Sequence, residues 1–142
     1  MRYLFVFLFL SFHAHAAELD LKPYKGKVVY VDFWASWCAP CKLSFPWMQK
    51  MQEKYGDKGF VVVTVNVDED KSDATEFLQG FPKIQFPVIY DPDSKLVAKY
   101  NVEVLPWSLI FDREGKLVSQ HRGFTSKKKQ KYEAEIRKYV IP

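Results

Sequence analysis

Val28-Val29-Tyr30-Val31-Asp32-Phe33-Trp34-Ala35-Ser36-Trp37-Cys38-Ala39-Pro40-Cys41-Lys42 decides the reading of this chain. Its first half, Val28–Phe33, is β-rich and almost continuously apolar, the pattern of a strand buried on both faces. Its second half brings two cysteines three apart. Beyond it, Leu43, Trp47, Met51 and Tyr55 recur every four residues, so Lys42–Tyr55 reads as a helix, with Gly56 near its stop. The cysteines therefore lie where a core strand meets a helix. There, unpaired backbone N–H groups and the helix dipole favour a thiolate on Cys38. Cys41, one turn further in on the same side, is expected to be more enclosed. Pro40 suits an early helical position, where its missing N–H has no partner to lose.

Such a pair suits thiol–disulfide exchange, with Cys38 attacking and Cys41 resolving. Three other readings compete. Half a zinc site would need further ligands. A structural disulfide closing so short a loop restrains little of the unfolded chain. A Cu(I) site could use the two soft thiolates. These are the chain's only cysteines, and exchange is the preferred reading.

Working outward, Phe60–Val67 is a second apolar strand, and Ser72 or Asp73 could cap a short helix ending at Leu78. Pro87–Tyr90 is a short apolar piece before a turn at Asp91–Ser94, and Leu96–Tyr100 has the look of a short helix. Trp107–Phe111 and Lys116–His121 read as a hairpin around Asp112–Gly115, and Thr125–Val140 as a last helix. Strands alternate with helices before a closing hairpin and helix. That order predicts an α/β domain, a central mixed parallel/antiparallel sheet with helices on both faces.

At the other end, Arg2 precedes an apolar run from Tyr3 to Phe12, and Ala14 and Ala16 follow as small residues. Residues 1–16 thus read as a secretory signal peptide, too short to span a bilayer, with cleavage expected near Ala16. Residues 17–142 would form the folded domain, with His121 its only histidine. A metal site is therefore not expected. The 142 residues are 48% hydrophobic and 27% charged, with a formal charge of +4. This suits one globular domain and is too mild a charge to argue for nucleic acid.

Val31–Lys42, with Trp34, Trp37, Cys38, Cys41 and Pro46 in place, resembles the active-site signature of thioredoxin-fold proteins. Phe86-Pro87-Val88, Asp91-Pro92-Asp93, Tyr100-Asn101-Val102, Leu105-Pro106 and Phe111–Lys116 resemble the secreted TlpA/ResA-like branch of thiol–disulfide oxidoreductases. The resemblance implies a thioredoxin-like fold and a periplasmic or otherwise extracytoplasmic enzyme, acting as a reductant, with cytochrome c or copper-site maturation among its possible tasks. A disulfide-donating oxidant and a Cu(I) carrier are the alternatives. It implies no cofactor beyond the Cys38–Cys41 disulfide, disulfide-bearing protein clients, a membrane thiol-transfer protein as electron donor, and a monomer.

Residue by residue, the resemblance makes Pro106 a cis-proline beside the disulfide and Leu105 a backbone docking point for the client. Trp37, Ala39 and Pro40 would complete the client surface. Asp32 would be a buried acid that moves protons for Cys41, the alternative being a strand-end carboxylate facing solvent or a lysine. Two departures from the family pattern stand out. Ser44 occupies the position of a glutamate common in the ResA-like branch, and Thr64 that of a lysine near the buried acid. Trp107 could shape the groove or fill the core, and Gly123 could admit a client backbone or serve a turn. Lys127–Lys131 reads as a solvated helix face. His121 has no partner visible in the sequence.

Overall fold

The computed structural model describes residues 17–142; the expected signal peptide, residues 1–16, lies outside the described residues. Five strands form one sheet in the order β3-β2-β1-β4-β5. They are β1 (Val28–Trp34), β2 (Phe60–Asn66), β3 (Val88–Tyr90), β4 (Trp107–Phe111) and β5 (Leu117–Arg122). β1, β2 and β3 run parallel, while β4 is antiparallel to β1 and β5 to β4. The helices are α1 (Ala39–Tyr55), α2 (Lys71–Gln79), α3 (Lys95–Lys99) and α4 (Lys129–Val140).

β1 is buried along its whole length, because it lies mid-sheet with helices over both faces. Its side chains alternate between two cores. Val28, Tyr30 and Trp34 join α1, α4 and Phe77 of α2 on one face. Val29, Val31 and Phe33 join Leu96 of α3 and Leu19 near the start of the described chain on the other. Beneath the cysteines the first core is aromatic. The fully buried Trp34 ring lies 5.0 Å from Phe45 and 4.7 Å from Phe77, centroid to centroid. Edge and tilted contacts of this kind suit the ring quadrupoles.

Most elements fall within a few residues of their sequence reading, and the differences lie at helix starts. α1 begins at Ala39 rather than Lys42, because Cys38 takes an extended backbone as the N-cap and Pro40 fills the first turn. α2 is capped by Asp70, not Ser72 or Asp73; its carboxylate accepts from the Ser72 N–H at 2.8 Å. The last helix is preceded by a separate 3-10 turn at Ser126–Lys128.

Candidate active site

Cys38 and Cys41 are joined in a disulfide at the N-terminus of α1. Both are buried, but in different ways. Cys38 lines an open groove of about 840 Å³ together with Trp37, Ala39, Pro40, Val104 and Leu105. Cys41 is not part of that lining and has no exposed surface. One sulfur is thus presented to the groove and the other is held behind it. Trp37 stands on the rim at 73% exposure, while Trp34 is core.

A carboxylate fixes the loop that carries Cys38. Asp68, just past β2, accepts hydrogen bonds from the Ser36 backbone N–H at 3.0 and 3.1 Å and from the Ser36 hydroxyl at 2.8 Å. The Asn66 side-chain amide holds it from behind at 2.7 Å. Sequence reasoning passed over Asp68. The available signal was an acidic residue directly after a strand that ends beside the cysteine loop.

The Leu105–Pro106 peptide is cis. The Pro106 carbonyl accepts from the Gly123 N–H at 2.8 Å. Gly123 has φ +67°, a left-handed conformation that glycine adopts without penalty. Its N–H is committed within the chain, so Gly123 serves a turn that ties β5 to the proline loop. Trp107 fills core: it is buried on the α3 face of the sheet, with the Arg122 guanidinium over its ring. Ser44 turns inward and its hydroxyl donates to the Cys41 carbonyl at 3.0 Å.

Asp32 is buried, on the α1 face of β1. It faces neither solvent nor a lysine. Its neighbour on β2 is Thr64, whose hydroxyl donates instead to the Pro87 carbonyl. One carboxylate oxygen of Asp32 accepts from the Ser108 hydroxyl at 2.8 Å; the other has no partner among the described residues. Burial pushes the carboxyl up to about 7, with the Ser108 bond pulling only weakly the other way.

The Asp32 site extends further than the sequence reading allowed. Sheet register places Asp32 opposite Ser108, and Ser108 opposite His121, in one row across β1, β4 and β5. The buried Tyr30 hydroxyl donates to the Ser108 oxygen at 2.9 Å and lies 3.2 Å from His121 Nδ1. His121 Nε2 lies 2.8 Å from Glu135 on α4, and the Tyr132 ring stacks on the imidazole at 3.7 Å. His121, which showed no partner in the sequence, is therefore fully engaged. Ser108 carries a signal, a polar residue inside the apolar run of β4; His121, in a mostly polar β5, carries none.

A Redoxin family profile matches residues 8–136. The chain belongs to the redoxin family. Among curated relatives, a thiol-disulfide oxidoreductase ResA of Bacillus cereus is 34% identical over 110 residues, which cover 78% of this chain and 63% of that protein. The match thus spans less than two thirds of the relative's length. Among solved structures, a Chlorobium tepidum protein described as a thiol:disulfide interchange protein DsbE aligns with TM-score 0.81 and 46% identity, covering 84% of each chain. The pneumococcal exposed lipoprotein thioredoxin Etrx1 from Streptococcus pneumoniae strain TIGR4 aligns with TM-score 0.67 and 37% identity, covering 81% of this chain and 89% of that one. The architecture is a thioredoxin fold of the TlpA/ResA-like kind.

Proposed function

We propose that this redoxin is an extracytoplasmic thiol–disulfide oxidoreductase that reduces disulfides in protein clients. The observation that carries the reading is the asymmetry of the disulfide, with Cys38 lining an open groove at a helix N-terminus and Cys41 enclosed behind it. The relatives named as oxidoreductases and the leader-like residues 1–16 support it.

In the reduced protein, the Cys38 thiolate attacks a client disulfide. A Cys38–client bond forms and the client S–S bond breaks, releasing one client thiolate. The Cys41 thiolate then attacks Cys38, restoring the Cys38–Cys41 disulfide and releasing the second client thiolate. Two electrons pass to the client, and a membrane thiol-transfer partner would return them by the reverse exchange. Cys41 must lose its proton before it attacks. Asp32, with its carboxyl raised to about 7, is suited to take that proton near neutrality. The client would lie in the groove against Trp37, Ala39 and Pro40, its backbone pairing with Leu105 beside Pro106 as an added strand.

The reduction potential, measured against defined thiol buffers, tests the direction. A value near the thioredoxin end, about −270 mV, supports a reductant; one near the DsbA end, about −120 mV, makes the protein a disulfide donor and overturns that role. Cys38→Ser is expected to abolish client reduction and Cys41→Ser to accumulate mixed disulfides. Full activity in the first variant would refute the exchange mechanism.

A further inference from the structure

The polar row under β1 is more than one buried carboxyl needs for support. Tyr30, Asp32, Ser108 and His121 are each at least 96% buried, in a core made mainly of apolar side chains. Their contacts follow one another without a branch. Asp32 meets Ser108 at 2.8 Å, Ser108 meets Tyr30 at 2.9 Å, Tyr30 meets His121 Nδ1 at 3.2 Å, and His121 Nε2 meets Glu135 at 2.8 Å. Only the last group reaches water, the Glu135 side chain being 30% exposed. Every interior member is a hydroxyl or an imidazole, the groups that can both donate and accept. We propose that Ser108, Tyr30 and His121 form a proton relay between the buried Asp32 carboxyl and the solvent-facing Glu135.

Two self-consistent arrangements of hydrogens fit the same heavy atoms. With Asp32 protonated and His121 neutral, the donors all point outward: Asp32 to Ser108, Ser108 to Tyr30, Tyr30 to His121 Nδ1, and His121 Nε2–H to Glu135. If each of the first three hydrogens moves one hop, Asp32 becomes a carboxylate and His121 an imidazolium beside the Glu135 carboxylate. Three O–H bonds break; two O–H bonds and one N–H bond form; one proton has crossed the core. The Nε2 proton can then leave through Glu135 to water.

The surroundings favour traffic over trapping. Burial keeps the Tyr30 phenol far above its ordinary range, so it passes a proton without persisting as phenolate. Burial also lowers His121, against the opposing pull of Glu135, so the ring returns to neutral after each transfer. The charged or titratable groups facing His121 are Tyr30 from β1 and Glu135 and Tyr132 from α4, with Lys128 and Lys131 further out. Glu135 is held below the ordinary carboxylate range: burial raises it, but the bonds from Ser119, at 2.5 Å, and His121 outweigh that.

The inference rests on Asp32 handling the Cys41 proton, and it assigns the path by which that proton leaves. It makes Tyr30, Ser108 and His121 positioning residues for the exchange reaction rather than passive core. The test is a paired NMR titration of the reduced protein, following the Asp32 carboxyl carbon and the His121 ring nitrogens, in the native chain and in Tyr30→Phe. In the native chain each resonance is expected to show the other's inflection. In Tyr30→Phe, which keeps the ring and removes the bridging hydroxyl, each should follow a single independent curve. Client reduction near pH 7 should then fall about tenfold, less than the roughly 10²–10⁴-fold of full acid–base assistance because Asp32 itself stays in place. Glu135→Gln, at the surface, should shift the His121 curve and, through the row, that of Asp32. Ser119→Ala, which removes a bond to Glu135 outside the row, should leave the two curves coupled.

Independent titration of Asp32 and His121 in the native chain, or coupling that survives Tyr30→Phe, would overturn the relay. The exchange reading fails on a different result, the loss of any Cys38-dependent client reduction, which the titration does not touch.

Discussion

The two faces of the sheet are built to different rules, although they share the same strands. On β1, Val29, Val31 and Phe33 look toward α3 and meet Leu109 and Phe111 of β4 in an apolar core. One residue out of phase, Tyr30 and Asp32 look toward α1 and α4 and meet Ser108 and His121. The α3 face gains stability mainly from apolar contact area. The α1 face carries a buried carboxyl, which costs stability once it ionises. A fold that buries β1 on both sides can thus keep one side for cohesion and give the other to chemistry. The aromatic cluster of Trp34, Phe45 and Phe77 offsets part of that cost.

The largest loss of stability is expected on the apolar side. Phe33→Ala, at a fully buried position, should cost about 3–5 kcal/mol at any pH, read from urea unfolding curves. A cost that changed with pH would show that the two faces are not independent. The polar side should behave differently. The folded chain holds the Asp32 proton up to about pH 7, whereas an unfolded aspartate releases it near pH 4. Between these values the folded state binds the extra proton, so stability falls as pH rises from about 4 to about 7 and then levels off. The full drop is at most about 4 kcal/mol, and Asp32→Asn should flatten it. The depressed Glu133 and Glu135 carboxyls act with the opposite sign, their stabilisation being lost as pH drops through their own lower range. The smallest stability effect is expected where neither face is touched. Trp37→Ala, on the exposed rim, should change stability by no more than about 0.5 kcal/mol while raising the KM for a protein client.

Residues 28–42 disclosed much of this in advance, because a strand buried on both faces followed by cysteines three apart admits few architectures. Asp32 was legible for the same reason, as a charge inside an apolar run. The row attached to it was not. Ser108 and His121 lie 76 and 89 positions along the chain from Asp32, and only the registers of β1 with β4 and of β4 with β5 align them. Local propensity does not specify register between distant strands. It shows only that Ser108 interrupts an apolar strand and that His121 is polar, so the sequence alone gives His121 no role. Asp68 is illegible for a related reason: Ser36, whose backbone N–H and hydroxyl it holds, lies 32 positions away, and a backbone N–H has no side-chain signature. The strand phase of β4 decides Trp107 for core over groove, and the commitment of its N–H decides Gly123 for a turn over a client contact.

The tie between Gly123 and Pro106 reaches further than a turn. Tyr132 on α4 donates its hydroxyl to the carbonyls of Arg122 and Gly123, at 3.1 and 3.0 Å, and the Gly123 N–H in turn holds the Pro106 carbonyl. The final helix, though none of its residues lines the cysteine groove, therefore sets the height of the loop on which a client would rest. A premature stop before α4 would do more than shorten the core. It would leave the cysteines in place and take away the shelf opposite them.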